Sequence, residues 1–167
     1  MERLRALGVP VAVTVSATTR APRPGEEDGG HYHFMSREAF EAERDAGAFY
    51  EWAVVHGNLY GTLKSEVERC LASGAHVVLE LDVQGMRHLK AMRSDVVTVF
   101  LMPPSMEELE RRLRTRGAND EADIALRLKN ARAEIAAKDE FDFVIVNDDL
   151  DRAAADLEQI LQGPAKQ

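Results

Sequence analysis

Hydrophobic positions along the chain follow two periods, and the alternation between them predicts the fold class. Val9, Val11, Val13 and Val15 alternate with other residues, and residues 76–81, 96–101 and 141–146 are near-continuous apolar runs. Runs of this kind suit strands of a parallel sheet covered on both faces. Helical spacing fills the intervals at residues 63–73, 85–92, 105–114, 121–138 and 150–162. Strands alternating with helices predict a three-layer α/β core in which a parallel sheet is flanked by helices. Ser105 followed by Glu108, just after Pro103-Pro104, is a capping box that fixes one of the helix starts.

Residues 29–60 break this rhythm. Residues 31–35 and 50–55 read as short antiparallel strands, Gly57-Asn58 supplies turn residues, and Ser36 caps a helix between the strands. The pattern predicts a small antiparallel lobe inserted beside the core. Leu4 and Leu7 lie one turn apart ahead of Gly8, as in the last turns of a helix with a glycine stop. Residues 117–121 have the polarity of a lid between two charged helices, and residues 163–167 that of a frayed tail. The expected organisation is one domain, with core segments 1–28, 61–110 and 128–167, a lobe at 29–60 and a helical lid at 111–127.

Composition narrows the function classes. With 167 residues, 45% hydrophobic and 30% charged, the chain suits a single compact domain. A net charge of −8 argues against general nucleic-acid binding, which rests on an excess of Lys and Arg. Cys70 is the sole cysteine, so neither an intramolecular disulfide nor a cysteine zinc site is available, and a reducing compartment fits. The opening Met-Glu-Arg-Leu-Arg lacks a signal peptide's apolar core, and no apolar run approaches the ~20 residues of a membrane span. The expectation is a cytoplasmic protein with no membrane or nucleic-acid partner.

The candidate chemistry starts at Val13–Glu26, where a loop leaves the carboxyl end of a predicted strand, the usual ligand edge of an open α/β sheet. Arg20 and Arg23, restrained by Pro22 and Pro24, can present two guanidinium forks to one phosphate; the alternative is a solvated basic loop. His31 and His33 share a predicted strand face, yet a pair without a third ligand makes no zinc site. Cys70 falls in a predicted helix and reads as a packed side chain.

Further motifs follow the loop in a fixed order: Gly30-His31-Tyr32-His33-Phe34, Phe49-Tyr50-Glu51-Trp52-Ala53, Gly57-Asn58-Leu59-Tyr60-Gly61-Thr62 and Leu79-Glu80-Leu81-Asp82-Val83-Gln84-Gly85. Pro103-Pro104-Ser105, Arg112-Leu113-Arg114-Thr115-Arg116-Gly117 and Ile145-Val146-Asn147-Asp148-Asp149 complete the set. This order resembles the guanylate kinase family from about Val13 to Leu161. The resemblance implies a P-loop-kinase-like fold, with phosphorylation of GMP to GDP by ATP and Mg²⁺ in purine nucleotide metabolism.

It also implies roles for individual residues. Glu51 would accept the N1–H and 2-amino protons of guanine, a pair that adenine does not present; otherwise it is an edge-strand glutamate facing water. Ser16, Thr62 and Asp82 would be further contacts to the base. Tyr32 and Tyr60 would join Arg20 and Arg23 on the GMP phosphate, or else serve as core aromatics. Arg112 and Arg127, with Arg20, would neutralise the transferring phosphoryl group, while Arg116 and Asn147 belong to the lid and adenine side. A solvated helix laced with ion pairs is the other reading of these arginines, and it covers Arg111 and Arg114.

The sequence departs from the family pattern in two places. Glu80 stands where aspartate is common, and no glycine is followed by lysine, so the phosphate-binding motif G-x-x-x-x-G-K-[ST] is missing. The expectation is an intact GMP half and an incomplete ATP half, in a chain starting at an internal methionine. The rival reading is an inactive GMP-binding or phosphopeptide-binding module. Retention of Ser16, Glu51, Thr62 and Asp82 favours the kinase.

Overall fold

A computed structural model describes residues 2–55, 57–115 and 120–163 and divides them between two compact units, Arg5–Ser94 and Asp95–Gln167, the latter also taking in Glu2–Leu4. Helix α1 (Glu2–Ala6) stops at Gly8, whose φ of 81° lets its N–H donate back to the Arg5 carbonyl at 3.0 Å.

In the first unit, β1 (Val11–Val13) pairs in parallel with β6 (His76–Val78). The valine alternation reaches past this ladder: the Thr14 N–H still donates to the Val78 carbonyl at 3.2 Å, and the chain then enters a second sheet through β2 (Ala17–Thr18). That sheet has the order β3-β2-β5-β4, with β3 at His33–Phe34, β4 at Phe49–Val55 and β5 at Asn58–Leu63. The antiparallel hairpin of the lobe is thus β4–β5, turning at Gly57 with φ 81°. β3, in contrast, runs parallel to β2, so the expected antiparallel pairing of residues 31–35 is corrected. His31 precedes β3, so the two histidines do not share a strand.

Helix α2 (Arg37–Asp45) begins where predicted, with the Ala39 N–H donating to Ser36 Oγ at 3.1 Å. Its Phe40 is fully buried and stacks on Phe49, 4.4 Å between ring centroids, over Ala17 and Leu59. Helix α3 (Lys64–Ala72) buries Val67 and Cys70, and α4 (Val83–Met92) buries Gly85, Met86 and Leu89. Cys70 is packed, as its helical position suggested.

The second unit is built on a parallel pair, β7 (Val99–Met102) with β8 (Phe143–Val146), and three helices. α5 (Met106–Thr115) starts at Ser105, whose Oγ accepts from the Glu108 N–H at 3.1 Å. α6 (Glu121–Ala136) is capped by Asp120, and α7 (Leu150–Gln162) by Asp149. Asp142 pins the sheet by accepting from both the N–H and the hydroxyl of Thr98 at 2.9 Å. Arg116, most of the predicted lid loop and nearly all of the predicted tail lie outside the described residues. Among the described residues, no helix is long and apolar enough to cross a membrane.

Candidate functional site

The loop after β1 is held against β5 by its two threonines. Thr19 N–H and the Thr18 hydroxyl both donate to the Leu59 carbonyl at 3.0 Å, while Leu59 N–H donates to Thr19 Oγ1 at 2.9 Å. This seats Arg20 beside Tyr60, and Arg20 Nε donates to the Tyr60 hydroxyl oxygen at 3.2 Å. The Arg20 guanidinium also lies over the ring of Tyr32, 5.3 Å from its centroid. Tyr32 and Tyr60 meet edge to face at 6.0 Å, and burial pushes the Tyr32 phenol above its ordinary value. Arg23, three residues further along the loop, is exposed.

Behind these groups lies a cavity of about 340 Å³, wholly within the first unit. Ser16, Tyr32, Glu51, Tyr60 and Asp82 all line it, so five of the predicted acceptor-site residues converge on one space. Thr62 stands just behind, donating its hydroxyl to Glu51 Oε1 at 2.6 Å. Glu51 is 5% exposed, which removes the water-facing reading. Burial pushes its carboxyl above the ordinary range, and Asp82 adds to the rise while the Thr62 hydroxyl opposes it. The other carboxylate oxygen packs on Gly85: a Cβ there would stand 2.9 Å from Glu51 Oε2. Asp82 itself caps α4, accepting from the Gly85 N–H at 2.8 Å. Glu80 also lines the cavity, and its side chain is exposed.

Two groups at this site escaped the sequence reading. Thr14 lines the cavity, 6% exposed, and its Oγ1 has no hydrogen-bond partner among the described residues. Glu26 forms a two-point ion pair with Arg20, both bonds 2.9 Å long. This pairing holds the Glu26 carboxyl down to about 2, with the Arg23 N–H contributing, and raises Arg20 above its ordinary value. His31 Nδ1 accepts from the Glu27 N–H at 3.0 Å, and His33 faces Glu66 at 3.5 Å, so the histidines serve the loop and α3.

The second unit has its own smaller cavity, about 180 Å³, at the carboxyl ends of β7 and β8. Asn147 and Arg112 line it with Leu101, Met102, Leu109 and Leu113. Arg112 is tied to Glu108 at 2.7 Å, and Arg127 to Asp123 at 3.0 Å, each pair one turn apart on its own helix. Arg111 pairs with Glu108, and Arg114 with Glu110 and Glu121. Among the described residues, no group of three or more His, Cys, Asp or Glu is placed to hold a metal ion.

Comparison with known proteins gives one answer. The family model described as guanylate kinase matches residues 5–163. A guanylate kinase of Idiomarina loihiensis is 51% identical over 149 residues, which cover 89% of this chain and 71% of the relative. One from Bifidobacterium longum is 51% identical over 164 residues, covering 95% of this chain and 84% of the relative. The crystal structure of guanylate kinase from Anaplasma phagocytophilum matches with a TM-score of 0.81 at 35% identity, covering 99% of this chain and 82% of that one.

Proposed function

The chain belongs to the guanylate kinase family, and from that membership we propose that it transfers the γ-phosphoryl group of ATP to GMP. A phosphate oxygen of GMP attacks the γ-phosphorus, the bond to the β–γ bridging oxygen breaks, and ADP and GDP result. The observation that carries the assignment is Glu51: a buried carboxylate lining the same cavity as Tyr60, the residue whose hydroxyl accepts from Arg20. Guanine supplies two adjacent N–H donors to such a carboxylate, and charge-assisted bonds of this type are strong. Thr62 orients Glu51, with Ser16 and Asp82 at the same wall. Arg20, Arg23, Tyr32 and Tyr60 hold the GMP phosphate.

Phosphoryl transfer needs little covalent chemistry from the protein, so catalysis is positioning and charge neutralisation. Arg112 and Arg127 supply that neutralisation once they exchange their carboxylate partners for phosphate oxygens, and Asn147 contributes to the adenine side. Mg²⁺ would come with ATP as part of the substrate and would neutralise charge on its phosphates. A single buried cysteine fits a reducing cytoplasmic setting.

The backbone cradle for ATP phosphates is a separate requirement, because no glycine in these residues is followed by lysine. A coupled assay tests the proposal. The 167-residue polypeptide should form GDP very slowly. The same residues preceded by a strand, a G-x-x-x-x-G-K-[ST] loop and a helix should turn GMP over robustly. Fast turnover by the shorter polypeptide would overturn the donor-site argument. A folded, inert longer one would favour a binding module.

A further inference from the structure

Glu26 makes four hydrogen bonds at this site, all to the two arginines of the loop. Its backbone N–H donates to the Arg23 carbonyl at 3.0 Å, closing the turn Arg23-Pro24-Gly25-Glu26. Gly25, at φ 86°, occupies the third turn position, where a type II turn needs a positive φ, and proline presets the second. Glu26 Oε2 then accepts from the Arg23 N–H at 2.7 Å and from Arg20 Nη1 at 2.9 Å. Oε1 accepts from Arg20 Nη2 at 2.9 Å. One carboxylate therefore joins the turn that carries Arg23 to the guanidinium of Arg20.

Counting the hydrogens of Arg20 shows what this leaves free. Nε is spent on Tyr60, and both Nη1 hydrogens are spent, on Ala21 and Glu26. One Nη2 hydrogen is spent on Glu26. The unspent donor is the second Nη2 hydrogen, on the Nε side, beside the Tyr60 oxygen. Because that oxygen accepts from Nε, the Tyr60 hydroxyl keeps its own hydrogen to donate. Two donors thus point to one place without any bond having to break.

We propose that Glu26 is the positioning residue of the phosphate cradle, fixing Arg20 and the Arg23 turn so that the guanidinium edge and the Tyr60 hydroxyl meet the GMP phosphate preassembled. This rests on the acceptor-site reading above. A carboxylate in contact with a phosphate-binding arginine has a second possible role, as a competitor that the phosphate displaces. Geometry argues against that role: displacement would break the two-point ion pair and the bond from the Arg23 N–H to the same carboxylate together. Both side chains are already largely withdrawn from solvent, at 16% and 17% exposure.

Calorimetric titration of wild type and Glu26→Gln with GMP and with guanosine tests the proposal. Glutamine keeps the length, yet sets an amide N–H₂ against an arginine N–H. The expected result is a loss of roughly tenfold or more in GMP affinity, with guanosine unchanged. Unchanged or tighter GMP binding would overturn it in favour of a competitor, and an equal loss for both ligands would overturn it as general damage. If Glu26→Gln does not fold, Glu26→Asp, a methylene too short to span both arginines, should show the same selective loss. Failure of the acceptor reading itself is distinguishable, since wild type would then bind GMP no more tightly than guanosine.

Discussion

The two units of this chain hold their charged groups in opposite ways. In the first, Glu51 is buried against Thr62, and Arg20 is bonded at once to Glu26, Tyr60 and a backbone carbonyl. Apart from the contact of Arg20 with the neighbouring Ala21 carbonyl, these bonds span six to forty residues of sequence, so only the folded lobe makes them. In the second, Arg112 and Arg127 are bonded one turn away on their own helices, about a third exposed. Pairs of that kind form in any helix with the right spacing and contribute little to stability. The difference maps onto two tasks. On the roles proposed above, a site that distinguishes guanine from adenine would have its partners in place beforehand, whereas arginines that meet a moving phosphoryl group would wait on partners that are easily exchanged.

The largest effect that sharpens this contrast lies under the lobe. Phe40→Ala should destabilise the first unit by about 3–5 kcal/mol in chemical denaturation, because a fully buried ring stacked on Phe49 leaves a cavity. Loss of much less than this would mean that the acceptor residues are not held by a packed core. Next in size is Arg20→Ala, which should weaken GMP by about 2–3 kcal/mol and guanosine hardly at all. Equal losses for both ligands would make the loop purely structural.

Gly85→Ala should weaken GMP by about 1–3 kcal/mol, because the added methyl meets Glu51 Oε2 at 2.9 Å. Helix propensity alone would favour alanine there by up to ~1 kcal/mol, so undiminished binding would show that the Glu51 position is not critical.

A pH titration reads the same carboxyl. Its pKa is raised in the folded state, so the fold binds more protons than the unfolded chain between the ordinary value of 4.5 and the raised one. Stability of the unliganded protein should therefore fall as pH rises through that window, and Glu51→Gln should flatten the slope. Guanosine affinity should rise over the same window, as Glu51 becomes the acceptor its two donors need. A flat guanosine profile would remove Glu51 from base recognition. The smallest effect belongs to the second unit: Arg112→Ala should change stability by under ~1 kcal/mol and leave GMP binding untouched, while lowering turnover in a chain that binds ATP.

Much of this was written in the sequence. The valine run announced β1, and Ser36 and Ser105 announced helix starts through local hydrogen bonds that do not depend on the rest of the fold. Strand ends were less legible, because a ladder stops where its neighbour does: alternation continues to Val15, while the pairing with β6 ends at Val13. The burial of Glu51 had a readable signal, since Phe49, Glu51 and Ala53 share one face of β4. Glu26 had none, although the Pro24-Gly25 turn lay in plain view. Its role appears only when that turn brings a carboxylate back onto an arginine six residues earlier. The pairing of Arg112 with Glu108 and of Arg127 with Asp123 was visible as i,i+4 spacing, but which arginines also line a cavity needed the ends of β7 and β8.

The most direct test of the acceptor site is calorimetric titration of the folded chain with GMP and AMP under identical conditions. The account predicts that GMP binds and that AMP, with no N1–H or 2-amino group for Glu51, binds at least tenfold more weakly, a gap of about 1.4 kcal/mol or more. Equal affinities would contradict it, because a cavity that cannot tell the two bases apart does not use its buried carboxylate to read guanine.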